Sequence, residues 1–140
     1  MSGEEENPVA PDEVADATAE HSTVKQQLAE GFRSAGRSGL AEAVTGADFG
    51  LWVQTESGWN PRVVSGRTNQ GMVNGGLFQF WYGHPWAQRY FSRGNNPQSA
   101  FTMPPADQAR AVVQHFPHVT AATVHRYAQQ IRNGSYSGWG

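Results

Sequence analysis

The segment ADFGLWVQTESGWNP, residues 47–61, decides the fold that we expect for this chain. Its apolar side chains, Trp52 among them, recur with the period of an α-helix. Glu56 lies four residues after Trp52, so the same period places its carboxyl group on the buried face, in the last helical turn. Asn60-Pro61 is a turn signal. The segment therefore predicts a helix that ends on an acid beside a tryptophan.

A carboxyl group at the end of an apolar helix face loses solvation, and this loss raises its pKa. At neutral pH such a group can hold a proton and give it to a leaving oxygen, as the cleavage of a glycosidic bond requires. Glu56 is therefore our candidate general acid. The alternative is that the helix rotates Glu56 into solvent, where it has no catalytic role.

Polar and flat side chains follow Glu56 along the chain. In NGGLFQF, residues 74–80, two glycines allow a backbone to approach a ligand, and Gln79 offers both a donor and an acceptor. The nearby large aromatic residues are Trp59, Trp81, Tyr82 and Trp86. Aromatic faces and amides suit a sugar chain, whose rings expose C–H patches and hydroxyl edges. The alternative for the aromatic residues is core packing.

The periodicity along the rest of the chain predicts a mainly α fold, in one helical domain with a Gly-rich loop or short hairpin segment. The predicted helices cover residues 23–36, 38–57, 85–92, 105–115 and 120–133, with an interruption near Gly46 left open. Thr120 should cap the last helix, and Asn133-Gly134 should end it. The segment LFQFW, residues 77–81, fits either a strand or the start of a helix.

Charge divides the 140-residue chain, whose length suits one domain. Residues 1–30 hold eight acids and one lysine, whereas residues 31–140 hold nine arginines and four acids, a net charge of +5. We expect residues 1–21 to be an acidic disordered tail or tether, and residues 22–140 to be the catalytic domain. A basic domain is drawn to anionic polymers such as nucleic acid or a bacterial wall. The arginines are scattered, which argues against nucleic acid and leaves simple surface solvation as the alternative.

Several classes of protein are disfavoured by the sequence. There is no cysteine for a disulfide or a thiolate metal site, and no apolar run long enough for a transmembrane helix. The acidic start MSGEEENPVAP does not resemble a secretory signal. The histidines at 115, 118 and 125 lack the ordered spacing of a zinc site, and no glycine loop is followed by Lys-Ser or Lys-Thr. We expect no cofactor, metal, nucleic acid or membrane partner.

Two motifs in order carry a family resemblance: ESGWNP, then a Gly-containing loop, then GGLFQF. They resemble the lysozyme-like superfamily, and are similar to soluble lytic transglycosylases, resuscitation-promoting factors and goose-type lysozymes. The resemblance is close over residues 47–86 and loose over the two predicted C-terminal helices. It implies a lysozyme-like α+β fold.

The resemblance also implies a substrate, peptidoglycan, cut at the β-1,4 bond between N-acetylmuramic acid and N-acetylglucosamine, with Glu56 as the acid and later the base. The substrate-binding residues that the resemblance implies are Ser57, Gly76, Leu77 and Gln79. Asn74, Trp81 and Tyr127 are the other predicted substrate-binding residues. These family members usually carry a later Ala-Tyr-Asn-x-Gly segment whose tyrosine supports the acid. This chain lacks that segment, and Tyr127 is its predicted substitute.

The count of acids bears on the mechanism. A glycosidase with two carboxylates needs the second within about 5–10 Å of the first. Asp48 lies eight residues before Glu56, about 12 Å along a helix. Asp107, the only acid after Glu56, is better explained as compensation of a helix dipole. A mechanism with one carboxylate, in which the muramic C6 hydroxyl closes an anhydro ring, is therefore favoured over hydrolysis, which stays open.

A non-catalytic module is the competing interpretation: a domain that binds the cell wall, or a structural component of a phage tail-like assembly. In either case the sequence start suggests a chain that reaches the wall from a virion or particle, or from the cytoplasm after release. The acidic tail would then dock to a carrier protein of a phage or contractile particle, or serve as an inert linker.

Overall fold

The computed structural model describes residues 21–66, 73–92 and 100–139. The predicted N-terminal tail lies outside these residues, except for residue 21. The described part is mostly helical with one small antiparallel sheet. The helices are α1 (Ser22–Ser34), α2 (Ser38–Ala43), α3 (Ala47–Ser57), α4 (Pro85–Gln88), α5 (Pro105–His115) and α6 (Ala121–Asn133). The strands are β1 (Val64–Ser65), β2 (Asn74–Gly75) and β3 (Phe80–Trp81).

Helix α1 packs against α5 at close range. Its narrow apolar stripe buries Leu28 and Phe32 completely. Between them Gly31 meets α5 so closely that a Cβ atom there would lie 2.3 Å from the carbonyl oxygen of Ala106. Only glycine allows this approach, since an L side chain would push the helices apart.

Helix α3 lies in the centre of the core and packs against α6. The predicted helix over 38–57 is divided by Gly46, whose extended backbone precedes the first residue of α3. Phe49, Trp52 and Val53 are fully buried, as the periodicity predicted. The helix ends at Gly58, which has a φ of 62° and donates its N–H to the carbonyl oxygen of Gln54.

The sheet lies in the Gly-rich segment, where a short hairpin was expected. Strand β2 is central and pairs antiparallel with both neighbours: Asn74 lies opposite Ser65 of β1 and Trp81 of β3. The ambiguous segment LFQFW therefore forms a turn followed by a strand. The described helices of this fold include none that is long and apolar enough to cross a membrane.

The helix predicted over 85–92 is wrong in length, since α4 ends at Gln88. Phe91 instead forms a bridge with Phe101, and the two rings lie 5.0 Å apart between centroids. Both rings pack on Gly75, where a Cβ atom would clash with them. Burial of two phenylalanines on the sheet thus outweighs another helical turn.

Helix α6 begins and ends where the sequence predicted. Thr120 forms a capping box with Thr123, and Gly134 ends the helix with a φ of 81°. The chain then folds back, because the N–H groups of Ser135 and Tyr136 donate to the carbonyl oxygen of Gln130. Residues 135–139, here called the C-terminal strap, return across the core.

Gln108 on α5 is fully buried and holds the sheet segment in place. Its Oε1 accepts the N–H of Leu77 at 2.8 Å. Its Nε2 donates to the carbonyl oxygens of Pro61 at 3.0 Å and Met103 at 2.8 Å. One side chain thereby satisfies three backbone groups that the fold removes from water. It also fixes the turn that carries Gln79.

Candidate active site

A cavity of about 320 Å³ opens at the C-terminal end of α3. It brings Glu56 together with three of the predicted substrate-binding residues, Asn74, Gln79 and Trp81. The remaining lining residues are Phe80, His84, Phe116, Gly138 and Trp139. The cavity therefore lies between the last turn of α3, the sheet and the C-terminal strap.

Glu56 is half-buried, and this burial raises the pKa of its carboxyl group. The hydroxyl of Tyr136 donates a hydrogen bond to Oε2, which stabilises the ionised form and opposes the effect of burial. Burial is the larger of the two effects, so the pKa stays above its usual value. Within the described residues Oε1 has no hydrogen-bond partner, so this oxygen is available to a ligand.

Tyr136 is itself held in place by the core. The indole Nε1 of Trp52 donates to its hydroxyl oxygen at 3.2 Å. Burial and the neighbouring carboxyl group of Glu56 raise the pKa of Tyr136 strongly, so the hydroxyl keeps its proton and remains a donor. Trp52, Tyr136 and Glu56 thus form a directed chain of hydrogen bonds that fixes one carboxyl oxygen, Oε2.

The C-terminal strap is fastened at a second point. Trp139 donates its Nε1 proton to the carbonyl oxygen of Phe78 at 2.8 Å. Its ring packs edge-on against the ring of Trp52, with the centroids 5.2 Å apart. It also packs at a tilt against the ring of Phe116, with the centroids 4.7 Å apart. These contacts hold the strap across the core and present Trp139 as one wall of the cavity.

Gln79 has a strained backbone and a fixed side chain. Its φ of 56° lies in the left-handed region, which costs a residue other than glycine about 1–3 kcal/mol. The side-chain oxygen accepts a hydrogen bond from the hydroxyl of Ser65, and Nε2 donates to the carbonyl oxygen of Gly76 at 3.0 Å. This arrangement aims the amide at the cavity, and the second N–H of Nε2 has no partner within the described residues.

The structure places Tyr127 away from the cavity. Its side chain is 5% exposed, packs against Trp52 and Tyr136, and does not line the cavity. The tyrosine that contacts the acid is Tyr136. Tyr127 lies on the inward face of α6 and is therefore buried in the core. The C-terminal strap brings Tyr136 to the carboxyl group of Glu56.

Ser57, Gly76 and Leu77 also fail to line the cavity. The Ser57 hydroxyl donates back to the carbonyl oxygen of Val53, so the helix itself uses it. Gly76 and Leu77 are buried, and the N–H of Leu77 is taken by Gln108. Their role is to shape the turn that presents Gln79, since the φ of Gly76 is 83° and a Cβ atom there would meet Gln108.

Neither candidate for a second carboxylate lines the cavity. Asp107 lies in the first turn of α5 and pairs with Arg110, in agreement with its predicted role at the helix dipole. Asp48, at the opposite end of α3 from the acid, pairs with His125 and Arg132. Glu56 is therefore the only acid lining the cavity among residues 21–66, 73–92 and 100–139.

The histidines considered for zinc have different partners. His125 contacts Asp48, whereas His115 stacks on Trp86 with centroids 4.1 Å apart. His118 lies near the ring of Phe116. Across the described residues, no three side chains of the metal-binding types lie close enough together to hold one ion.

Four residues of the site were not predicted from the sequence: Tyr136, Trp139, His84 and Phe116. A signal was present in SYSGWG, residues 135–140, where two aromatic residues follow a helix-ending glycine without any helical or strand period to explain them. Aromatic residues in such a terminal stretch indicate a segment that packs on the domain. The pattern gives no information about where it packs.

The raised pKa of Glu56 predicts how stability depends on pH. The folded protein binds the proton of Glu56 more tightly than the unfolded chain does. Proton binding therefore stabilises the fold fully at low pH, and this contribution is lost as pH rises through the raised pKa. Glu56→Gln avoids burying the charge. We therefore expect its melting temperature to exceed that of the wild type at pH 8 and to match it at pH 4. A difference that is equal at both pH values would contradict the burial effect.

The geometry thus combines one half-buried carboxyl group, one fixed amide and two tryptophans around a single cavity. Comparison with known proteins assigns no family: no family model matches the chain, and neither a curated protein nor a solved structure matches it. The function is therefore inferred from the chemistry of this cavity and from the resemblance of the motifs ESGWNP and GGLFQF.

Proposed function

We propose that this protein is a lysozyme-like enzyme that cleaves peptidoglycan between N-acetylmuramic acid and N-acetylglucosamine, with Glu56 as its general acid. The observation that carries the proposal is the state of this carboxyl group. Burial raises its pKa, Tyr136 fixes one of its oxygens, and the other oxygen, at the cavity, has no hydrogen-bond partner among the described residues. An exposed structural glutamate would need none of these features.

In the proposed reaction, Glu56 gives its proton to the bridging oxygen while the bond from that oxygen to the muramic C1 breaks. The substrate's own N-acetyl oxygen bonds to C1 and compensates the developing positive charge. The Glu56 carboxylate then accepts the proton of the muramic C6 hydroxyl as O6 bonds to C1 and displaces the acetyl oxygen. Between these two steps the hydrogen bond from Tyr136 stabilises the carboxylate.

The single carboxylate favours a lytic transglycosylase over a hydrolase that uses two. Glu56 is the only acid at the cavity among the described residues. The intervening segments 67–72 and 93–99 contain no Asp or Glu in their sequence. A second acid at about 5–10 Å, which the two-carboxylate mechanism requires, is therefore not offered by these parts of the chain.

The walls of the cavity suit a glycan. Trp81 is 48% exposed and Trp139 is partly exposed, so both offer flat surface for the C–H face of a sugar ring. The second donor of the Gln79 amide, which has no partner in the part of the chain that the structure describes, can bind a hydroxyl or an acetamido oxygen. The net charge of +5 over residues 31–140 attracts an anionic wall. In this proposal the acidic N-terminal segment docks the enzyme to a carrier particle.

Digestion of purified peptidoglycan tests the proposal directly. Mass spectrometry of the released fragments should show 1,6-anhydromuramic ends. Reducing ends would assign a hydrolase to the same site. Binding of the wild type to the wall without any released fragment would contradict an enzyme and support the non-catalytic module.

Tyr136→Phe removes the hydrogen bond to Glu56 and leaves the ring in place. We expect cleavage to slow by roughly tenfold, because the carboxyl group loses its fixed orientation and the carboxylate its donor. The alkaline limb of the pH profile should move to higher pH, because the lost bond had favoured the ionised form. Tyr127→Phe is the matched control, and we expect it to change neither the rate nor the profile. Equal profiles for the two variants would overturn the role of Tyr136.

A further inference from the structure

A second cavity, of about 630 Å³, lies beside the first one. Its walls come from α4, α5 and the segment after α4, and they include Trp86, Arg89, Tyr90, Arg110 and His115. The proposed cleavage reaction does not use these residues, although Trp86 was among the aromatic residues considered for a sugar chain and His115 among the histidines considered for zinc. The cavity combines aromatic surface with two guanidinium groups and one carboxylate, that of Asp107. Its lining therefore carries one more cation than anion, which suits a ligand with both apolar and anionic parts.

The two cavities share a wall built from stacked rings. His84 lines the first cavity and stacks on Trp86, with centroids 5.3 Å apart and an interplanar angle of 15°. Trp86 lines the second cavity and stacks in turn on His115 at 4.1 Å and 2°. The two cavities are therefore neighbours, separated by the stacked rings of His84, Trp86 and His115.

The charged groups of the second cavity leave one cation unneutralised. Arg110 is bound to Asp107 and to the hydroxyl of Ser34, so its charge is already compensated. Burial, with repulsion from His84, lowers the pKa of His115 and keeps this ring neutral at neutral pH. Arg89 has no acidic partner among the described residues.

Arg89 is also held in position. Its guanidinium group lies over the ring of Tyr90, 4.9 Å from the centroid, and Nη2 donates to the Tyr90 hydroxyl at 2.8 Å. The other N–H groups of the guanidinium have no partner in the part of the chain that the structure describes. Arg89 is exposed, and a guanidinium whose other donors have no partner among the described residues is suited to a carboxylate, which accepts two parallel N–H bonds.

We propose that the second cavity binds a carboxylate of the peptide branch that peptidoglycan carries on its muramic residues, with Arg89 as the binding cation. This inference rests on the proposed function, and it names the part of the substrate that the cleavage site does not contact. A glycan strand in the first cavity would place its peptide branch over the stacked rings, next to the guanidinium group. The protein would therefore distinguish peptide-bearing strands from bare ones.

The test measures binding to soluble glycan strands in three forms: peptide-bearing, stripped of peptide by an amidase, and peptide-bearing with amidated carboxylates. The full chain with Glu56→Gln is used so that the strands are not consumed. We expect the Kd to be roughly fivefold weaker for the stripped and the amidated strands, as the loss of one partly exposed charge pair predicts. Arg89→Gln, added to this protein, should bind all three forms alike.

Arg126→Gln is the matched control, since Arg126 lies over the ring of its own neighbour Tyr127 but does not line either cavity. It should keep the fivefold preference. The inference would be overturned if the protein with Arg89 intact bound the three forms with equal Kd values. It would also be overturned if the preference for peptide-bearing strands remained after Arg89→Gln. Turnover of stripped strands by the wild type is measured separately. If the wild type turns over stripped strands and the three Kd values are equal, only the second site is rejected. If the protein shows no binding and no turnover, the proposed function is rejected as well.

Discussion

Glu56→Gln is expected to abolish the release of fragments from purified peptidoglycan, with a loss of roughly 10²–10⁴-fold in rate. The amide has the size and shape of the carboxyl group and still accepts the hydrogen bond from Tyr136. It has no acidic proton to give to the bridging oxygen, and it cannot later accept one from the C6 hydroxyl. Zymography and quantified fragment release, both against the wild type, measure the loss.

The control for this prediction is Glu42→Gln, the same substitution at an exposed glutamate of α2 that does not line the cavity. This variant should cleave as the wild type does. The glutamine variant at position 56 should still sediment with the wall, because the aromatic walls and the Gln79 amide remain. Retained cleavage after Glu56→Gln would remove the general acid from the proposal and with it the proposed mechanism.

Gln108→Leu is expected to lower the free energy of unfolding by roughly 3–5 kcal/mol, the largest effect on stability that we expect from a single polar side chain. The substitution keeps much of the volume but leaves three buried backbone groups unpaired: the N–H of Leu77 and the carbonyl oxygens of Pro61 and Met103. Each such group costs about 1–3 kcal/mol when it has neither a protein partner nor water. Chemical denaturation followed by tryptophan fluorescence measures the change.

Gln129→Leu on α6 is the matched control, because this glutamine is exposed. We expect its free energy of unfolding to lie within about 0.5 kcal/mol of the wild type. A loss below about 1 kcal/mol for Gln108→Leu would mean that the backbone groups find other partners, contrary to the role assigned to this side chain. Because the turn with Gln79 depends on Gln108, the variant should also bind glycan strands more weakly at temperatures where it is still folded.

These two predictions concern Glu56 and Gln108. The sequence indicated the importance of Glu56 but not that of Gln108. Glu56 was predicted from its spacing to Trp52 and from its neighbours in ESGWNP. Gln108 has no such signal, because a glutamine within a helix is usually exposed. Its burial follows from a contact with a turn 31 residues away in sequence.

The length of a helix is likewise predicted poorly from local sequence when distant residues compete for its side chains. The period over 85–92 predicted a longer helix than α4, because a local pattern does not include the competing contact between Phe91 and Phe101. In contrast, the ends of α6 were predicted at Thr120 and Gly134, since a cap is formed by residues within one turn of each other.

The sequence by itself determined the mainly helical class, the buried face of α3 and the position of Glu56 at its end. These features depend on interactions within a few residues, which spacing and residue type describe. Only the tertiary structure decided which groups surround the acid. Tyr136 reaches Glu56 across 80 residues, and Trp52 reaches Tyr136 across 84. Such contacts arise from the packing of α3 against α6 and from the returning strap, and no local pattern encodes them.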